Sequence, residues 1–364
     1  MLKSRRTFTK ILGGTAAAAA VLGRPFIVRA ADPFKAGFIY VGPVADFGWT
    51  HQHDTARKAM EEAIGTDKVK TTYVESVKEG PDAERVIREL ATSGHGIIFT
   101  TSFGFMNPTL KVAKDFPAVK FEHATGYKRT ENVATYNIRF YEGRYIQGVI
   151  AGKMSKSGTV GYIGSVPIPE VVMGMNAVAQ GMRSVRPDGK IKIVWINGWY
   201  DPGKESDATK ALIDQGCDII CQHTDSGSPL QVAQERGMHG FGQASDMISI
   251  APKAQLTSSI DNWGPYYIDR VKAAMDGSWK SQDVWGGLKA DMLKMAPYTN
   301  MDDDVKAAAQ AAEDGIKGGQ IIIFKGPIKD QNGNLQVKDG EMLSDDKIAG
   351  MNWLAEGIEG KLPS

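Results

Sequence analysis

Cysteine is almost absent from this chain of 364 residues, which contains only Cys217 and Cys221. Four residues of extended chain separate their Cα atoms by about 13 Å, which is well beyond the span of a disulfide. We therefore expect two free thiols on a strand. Because the spacing also matches no common zinc module, the pair predicts neither a disulfide nor a metal site.

Motifs of common enzymes are missing as well. The sequence contains no Gly-x-Ser-x-Gly, P-loop or His-Glu-x-x-His pattern. The segment Gly161–Gly164 matches only part of the dinucleotide fingerprint and lacks its third glycine. His51 and His53 lie two residues apart, whereas helical ligands of one metal ion lie four apart. We expect no cofactor and no metal ion, and the sequence favours a binding protein over an enzyme.

Beyond residue 30 the chain lacks both a long apolar segment and an excess of basic residues. Residues 1–30 contain six basic side chains and no acidic one, so the remainder carries 37 basic and 42 acidic residues, a net charge of −5. Nucleic-acid binding needs a concentrated basic surface, and a membrane-spanning helix needs about 20 apolar residues. We expect a soluble mature chain that does not bind nucleic acid.

The first thirty residues have the pattern of a secretory signal peptide. The basic segment Ser4–Lys10, with its arginine pair, precedes an apolar run at 11–23, and a small residue, Ala30, follows. The arginine pair and its flanks indicate the twin-arginine type, with cleavage after Ala30 and export to the periplasm by the twin-arginine machinery. An ordinary signal peptide with a chance arginine pair is the alternative. No cysteine lies near the cleavage point, so we expect no lipid anchor.

After this leader, apolar runs alternate with amphipathic segments. In the first series, strands are predicted at 35–41, 69–75, 96–101, 119–122 and 133–138, with helices at 50–64, 82–93 and 107–116. In the second series, helices are predicted at 141–154, 170–185, 204–215 and 229–236, with strands at 159–164, 192–196, 218–222 and 240–242. Strict alternation predicts parallel sheets with helices on both faces. Two such series predict two doubly wound lobes, joined by hinge strands near 138–142.

The rest of the chain is less regular. Predicted elements are a strand at 255–261, helices at 264–275 and 302–313, and a strand at 320–324. Asn332-Gly333, between Ile328 and 335–337, predicts a hairpin with a two-residue turn.

The segments that follow the predicted strands are rich in aromatic, carboxylate and amide side chains and contain almost no Lys or Arg. Ligands of open α/β sheets bind beyond these strand ends. Aromatic faces would stack on a flat heteroaromatic ring, and carboxylates would accept its N–H groups, whereas a phosphate would call for Arg, Lys or a glycine-rich helix start. The predicted ligand is neutral or weakly basic with N–H donors. The candidate binding residues are Asp46, Phe47, Trp49, Thr50, His51, Phe103, His123, Trp199, Asp225, Asp246, Asp261 and Trp263.

Five segments of the mature chain carry a family resemblance: 40–54, 132–152, 158–164, 195–201 and 242–246. In their order and content they resemble the basic membrane protein family of periplasmic substrate-binding proteins. The resemblance implies a type I periplasmic-binding fold, with two α/β lobes, three hinge crossings and a ligand cleft between the lobes. Members deliver purine nucleosides or bases to ATP-binding cassette (ABC) importers, so a permease and an ATPase are implied partners.

The resemblance also assigns roles to single positions. Trp49, where nucleoside-binding members often have Phe, is implied as one stacking face, and Trp199 as the opposing face. Asp246 lies in a Gly-Val-Asp-x-Asp stretch whose first Asp is replaced here by Ala244. Asp261 stands where nucleoside-binding members often carry Lys. Because both changes affect the sugar and edge contacts, they favour a free base such as adenine over a nucleoside.

The resulting hypothesis is a monomeric periplasmic protein that captures a purine and delivers it to an ABC importer. The implied domains are the leader 1–30, a first lobe of 33–138 plus about 256–290, and a second lobe of 139–255 plus about 291–364. Phe47, Phe103 and Trp263 would support the stacked ring; Asp225, Asp246 and Asp261 would accept N–H groups; and Thr50 and His51 would complete the edge. Each tryptophan alone could also be a packing residue, and His123 could equally be structural.

Three alternatives remain open at this point. The protein could sense its ligand for a membrane receptor instead of a permease. It could be a periplasmic hydrolase that cleaves nucleosides with its aspartates. The same aromatic residues could also hold a different ligand, such as an amide or a flavin-like ring.

Overall fold

The computed structural model of the chain describes residues 32–45 and 47–363. The predicted signal peptide, residues 1–30, and the candidate residue Asp46 lie outside the described residues. Among the described residues, no helix combines the length and the apolar character that crossing a bilayer requires. Cys217 and Cys221 are both buried and free, as predicted, but only Cys221 lies on a strand, because the strand begins at Ile219.

The first half of the chain alternates strand and helix as predicted, with bounds that differ by one or two residues. The strands are β1 Phe34–Ile39, β2 Val69–Val74, β3 Ile97–Thr100, β4 Lys120–Ala124 and β5 Val133–Ile138. The helices among them are α1 Gly48–Ile64, α2 Pro81–Thr92 and α3 Met106–Asp115. Strand β3 is buried along its whole length, as expected for a parallel strand covered on both faces.

The second series repeats this pattern. Its helices are α4 Phe140–Met154, α5 Pro169–Val185, α6 Pro202–Asp214 and α7 Ser228–Glu235. Its strands are β6 Thr159–Gly164, β7 Lys190–Trp195, β8 Ile219–Gln222, β9 His239–Gly242 and β10 Gln255–Asp261. The later elements are α8 Gly264–Asp276, β11 Asp283–Gly286, β12 Leu293–Met295, α9 Asp303–Lys317, β13 Ile328–Lys329, β14 Leu335–Val337, α10 Asp345–Ala349 and β15 Ile358–Glu359.

These strands form two large sheets, one in each lobe. The first sheet has the order β11-β5-β4-β3-β1-β2, and its pairs are all parallel. The second has the order β12-β10-β9-β8-β6-β7-β15, in which only β12 is antiparallel to its neighbour. The predicted class, an α/β fold of two doubly wound parallel-sheet lobes, is confirmed.

One predicted boundary is wrong. Strand β10 pairs with β9 and β12 of the second sheet, so the chain does not return to the first lobe at about residue 256. It returns after Asp261 with α8, which packs on α1, and β11 then pairs with β5. An apolar strand is equally compatible with either sheet, and only its hydrogen-bonding partners decide between them.

Two further predictions near the C-terminal end need correction. Residues 320–324 form turns instead of a strand, because this apolar run buries Ile323 and Phe324 in the core without a strand partner. The predicted hairpin is present as antiparallel β13 and β14, but its turn spans residues 330–334. The Asp330 carboxylate accepts hydrogen bonds from the backbone N–H groups of Asn332, at 2.8 Å, and Asn334, at 2.9 Å, and these bonds favour the longer turn.

A buried ion pair holds α8 on the first lobe. Glu122 of β4, which is fully buried, accepts hydrogen bonds from the Tyr266 hydroxyl at 2.6 Å and from Arg270 Nε at 2.5 Å. It also accepts one from the Trp279 indole N–H at 2.6 Å. Two of these donors belong to α8 and the third to the segment that follows it. Glu122 therefore links the returning chain to the first sheet at one point.

Replacing Glu122 with glutamine should destabilise the protein by about 3–5 kcal/mol, because Arg270 would remain buried without its counter-charge. Urea unfolding of the ligand-free protein measures this loss. Glu89→Gln is the matched control: its ion pair with Arg85 joins side chains that are 61 and 58 % exposed, so its loss should lower the stability far less. Equal losses in the two variants would contradict the role assigned to Glu122.

Candidate functional site

A cavity of about 360 Å³ lies where the carboxyl ends of the two sheets face each other. Its wall contains Val41, Trp49, Ser102, Phe103 and Thr125 from the first lobe and Glu170, Trp199, His223, Asp225 and Gln243 from the second. Nearly all of these residues follow strands directly, as expected for parallel sheets.

Aromatic side chains from both lobes line this cavity. Trp49 and Phe103 belong to the first lobe and Trp199 to the second, and all three are half-buried. The indole N–H of Trp49 donates to the Thr101 carbonyl at 2.7 Å, which fixes the orientation of the ring. A flat ligand between the lobes can therefore contact an aromatic face on either side.

Trp263 supports Trp49 from behind and does not line the cavity. It is fully buried, and its ring meets the Trp49 ring edge-on, with centroids 5.6 Å apart. On its other side it stacks on His53 at 4.8 Å with an interplanar angle of 12°. Trp263, the residue before α8, was predicted to contact the ligand. In the structure it packs below Trp49 in the first lobe instead.

The polar part of the wall centres on Glu170 and His223. Glu170 is the second residue of α5, where the helix dipole stabilises negative charge, and its Oε1 lies 3.5 Å from His223 Nε2. Within the described part of the chain, Glu170 Oε2 and His223 Nδ1 are buried without a hydrogen-bond partner. Burial lowers the pKa of His223. The pair therefore offers a carboxylate acceptor and a neutral imidazole to a ligand.

Two aspartates near the cavity are shifted towards their neutral form. Burial, together with the charge of Glu205, raises the pKa of Asp225 to about 8. Asp261, at the end of β10, is 1 % exposed, and among the described residues neither of its carboxyl oxygens has a hydrogen-bond partner. Burial, together with the charge of Glu170, raises the pKa of Asp261 well above its ordinary value. A neutral carboxyl group can both donate and accept a hydrogen bond.

The wall of the cavity contains no lysine and no arginine among the described residues, as the sequence indicated. A cation does lie behind it: Arg144 of α4 is 1 % exposed. Its Nη1 donates to Gln147 Oε1 at 2.9 Å, and its Nη2 donates to Gln243 Oε1. Arg144 thereby orients Gln243, and its charge partly offsets the effect of the acidic neighbours on the pKa of Asp261.

The other predicted residues of the α1 segment lie outside the cavity wall. Phe47 packs against the core of the second lobe. Thr50 is buried close to Gly42, and Nδ1–H of His51 donates to the Ala45 carbonyl at 2.8 Å. These positions were predicted because they adjoin Trp49 in sequence, but successive residues of a helix point in different directions.

His123 and Asp246 also have structural partners and do not line the cavity. His123 is buried, and its Nδ1 is hydrogen-bonded to the Thr100 hydroxyl at 2.9 Å. Asp246 Oδ1 accepts hydrogen bonds from the Ile248 N–H at 3.0 Å and from Gln255 Nε2 at 2.6 Å. Asp246 therefore orders its own loop.

The structure adds wall residues that the sequence prediction did not include: Val41, Ser102, Thr125, Glu170, His223 and Gln243. Most of them lie in the same post-strand segments as the predicted residues. Glu170 could have been identified from the sequence by its position beside Pro169, at the start of a helix that follows a strand. Past Phe103, Thr125 and Glu170 the cavity continues into an interlobe groove of about 1220 Å³, which provides a route of access.

Comparisons with known proteins agree with this geometry. The model of the family described as "Bmp: ABC transporter substrate-binding protein PnrA-like" matches residues 34–332. A purine-binding protein of Brucella abortus is 60 % identical over 92 % of this chain and 95 % of its own length. A putative ABC transporter glucose-binding protein of Haloferax volcanii is 34 % identical over 92 % of this chain and 82 % of its own length. The solved structure of an ABC transporter solute-binding protein from Aeropyrum pernix K1 has the same fold, with a TM-score of 0.69 at 16 % identity over 82 % of this chain and 93 % of that one.

Asp261→Asn should raise the melting temperature of the ligand-free protein at neutral and alkaline pH. Because the folded-state pKa lies above the ordinary value of 3.8, the wild type loses stability as the pH rises from about 4 towards the folded-state pKa. Asparagine removes this loss, so the difference should grow as the pH is raised above about 4, at roughly 2–4 °C per kcal/mol relieved. Thermal unfolding across this pH range measures it.

Asp201→Asn is the control of opposite sign. The Asp201 carboxylate accepts a hydrogen bond from the Lys204 N–H at the start of α6, and that bond lowers its pKa. Asparagine there should lower the melting temperature slightly at neutral pH. A pH-independent difference for Asp261→Asn would contradict the assignment of a buried neutral carboxyl group.

Proposed function

The chain belongs to the family of PnrA-like ABC transporter substrate-binding proteins, and from this premise we propose that it captures a purine-type ligand for an ABC importer. A free base such as adenine is preferred to a nucleoside. The ligand passes to the permease and ATPase of the importer. The observation that carries this proposal is a cavity between the lobes that combines aromatic side chains from both lobes, at Trp49 and Trp199, with a polar edge.

The polar edge supports a base with an amino group. Asp225 lines the cavity with a pKa raised to about 8, so its carboxyl group places an O–H donor beside a C=O acceptor. An aminopurine edge offers the complement, a ring nitrogen beside an exocyclic N–H. The Glu170 carboxylate accepts a further N–H, whereas a phosphate would meet acidic groups and, among the described wall residues, no lysine or arginine.

The relative from Brucella abortus, which is named as a purine-binding protein, supports the same ligand class. The relative from Haloferax volcanii is named as a glucose-binding protein, and a sugar ring can also pack on tryptophan and bond to carboxylates. Glucose is therefore the control ligand in every binding experiment below. A ligand with an extended planar ring uses both aromatic faces of the cavity, and this favours the purine.

The predicted signal peptide indicates where the protein acts. We propose export by the twin-arginine machinery and action as a monomer in the periplasm, with the lobes closing on the ligand and presenting a joint surface to the permease. Two alternatives predict different phenotypes. A sensing role predicts normal uptake in a deletion strain, and a nucleoside-cleaving activity predicts release of ribose from bound nucleoside, whereas a transport protein returns its ligand intact.

Trp49→Ala should weaken adenine binding about 10- to 100-fold without unfolding the protein, because stacking of a base on an aromatic side chain contributes about 1–3 kcal/mol. Calorimetric titration of unfolded and refolded, ligand-free protein measures the affinity. Trp195→Ala is the matched control: this half-buried tryptophan donates its indole N–H to the Lys361 carbonyl away from the cavity and should leave the affinity unchanged. Unaltered affinity in Trp49→Ala would refute the stacking role.

Native mass spectrometry of the freshly purified protein, followed by denaturation, should release one purine base intact. Release of a nucleoside would support the purine class of ligand but contradict the preference for a free base. An empty protein that gains no thermal stability with adenine, guanine, hypoxanthine or their nucleosides would refute the purine assignment, and stabilisation by glucose would replace it.

A further inference from the structure

Helix α1 begins without a side-chain cap from its N-cap residue. The N-cap position is occupied by Phe47, whose side chain cannot accept a hydrogen bond, and the first turn contains no acidic residue. The first N–H groups of a helix have no partner inside the helix and need acceptors from elsewhere. A cap of this kind is normally a Ser, Thr, Asp or Asn side chain that immediately precedes the helix.

The second lobe supplies acceptors of these types. The Gly48 N–H donates to the Ser245 hydroxyl oxygen at 2.9 Å, and the Trp49 N–H donates to Asp225 Oδ1 at 3.3 Å. Ser245 follows β9 and Asp225 follows β8, so both acceptors lie at carboxyl ends of the second sheet. The start of α1 is therefore capped across the cleft.

Gly48 allows this contact for two separate reasons. Its φ of +88° lies in the left-handed region that favours glycine. A Cβ atom placed on it would lie 2.4 Å from the Asp225 carbonyl oxygen and 3.0 Å from Asp225 Cβ. The two lobes thus touch backbone to backbone at this point, and any side chain at position 48 would hold them apart.

We propose that Asp225 and Ser245 are positioning residues that cap α1 only when the lobes are closed, and thereby hold Trp49 in its ligand-stacking position. The link is direct, because the backbone N–H bonded to Asp225 belongs to Trp49, whose ring lines the cavity. Opening the cleft leaves two helix N–H groups without these acceptors. Closure and the placement of the stacking face are therefore one event. The inference rests on the proposed function insofar as the stacked ligand is a purine.

The two bonds from Gly48 and Trp49 to Ser245 and Asp225 are called the latch below. Gly48→Ala and Gly80→Ala form a matched pair that tests it. Gly80 precedes α2 in the same lobe with a φ of +95°, and a Cβ atom there would have nothing within 4 Å. Both variants therefore strain a helix start, but only Gly48→Ala adds a clash with the other lobe. We expect similar ligand-free melting temperatures, an adenine affinity at least roughly tenfold lower for Gly48→Ala, and near wild-type affinity for Gly80→Ala.

Ser245→Ala tests the cap without a clash and keeps the proposal open to refutation if Gly48→Ala fails to fold. Loss of one capping acceptor should weaken adenine binding about two- to tenfold. Stopped-flow tryptophan fluorescence should assign the change to faster dissociation in both variants, with little change in association, because the latch acts after the ligand has entered. Affinities and dissociation rates equal to those of Gly80→Ala would overturn the latch.

The outcome separates the latch from the purine proposal. If the wild type binds adenine and Gly48→Ala binds it equally well, the latch fails and the proposed function stands. If the wild type binds glucose instead of adenine, the purine assignment fails, and the glucose affinities of the same variants decide the latch. A weaker affinity in Gly48→Ala than in wild type and Gly80→Ala would support it, and equal affinities would overturn it.

Discussion

Burial of carboxyl groups without hydrogen-bond partners is the constraint on which the cleft depends. An unpaired buried polar group costs free energy, and an unpaired charge costs far more. Among the described residues, Glu170 Oε2 in the cavity wall and both carboxyl oxygens of Asp261 behind it have no hydrogen-bond partner. A ligand N–H group that reaches Glu170 would satisfy one of these atoms. Asp261 does not line the cavity, and its raised pKa favours the neutral form, which lowers the cost of burying it.

The aromatic wall is rigid because it is continuous with the core of the first lobe. Phe38 stacks on Phe99 with ring centroids 4.6 Å apart, and Phe99 contacts Tyr267 at 4.5 Å. The series continues through His53 and Trp263 to the ring of Trp49. These buried rings support one side of the Trp49 ring, while the bond from its backbone N–H to Asp225 fixes the start of its helix when the lobes are closed.

The crossings between the lobes are also held by specific contacts. Arg139, between β5 and α4, forms two hydrogen bonds with the Asp345 carboxylate, at 2.8 and 2.6 Å. Its guanidinium lies 4.7 Å from the centre of the Trp285 ring on β11. Two of the crossing segments are thereby tied together at one point, while the Glu122 network ties the returning chain to the first sheet.

The order of strands and helices could be predicted from the sequence because their periodicity is a local property. The candidate binding residues were placed at strand ends by the same reasoning, and four of them, Trp49, Phe103, Trp199 and Asp225, line the cavity. The failures concern long-range partners. Strand β10 has the same apolar pattern whichever sheet accepts it, and residues 320–324 have a strand composition but no strand to pair with.

What the sequence by itself determined was the alternating α/β architecture, the family resemblance and the aromatic and acidic character of the cleft, while the export signal at residues 1–30 stays a prediction. Only the tertiary structure decided which side chains face the cavity. His51 and Asp246 turn to partners in their own segments, Glu170 enters the wall from a helix start, and Asp225 bonds to a helix of the other lobe. The physical reason is that the segments after strands have no periodicity, so each side chain is oriented by hydrogen bonds and contacts that form only when the lobes are assembled.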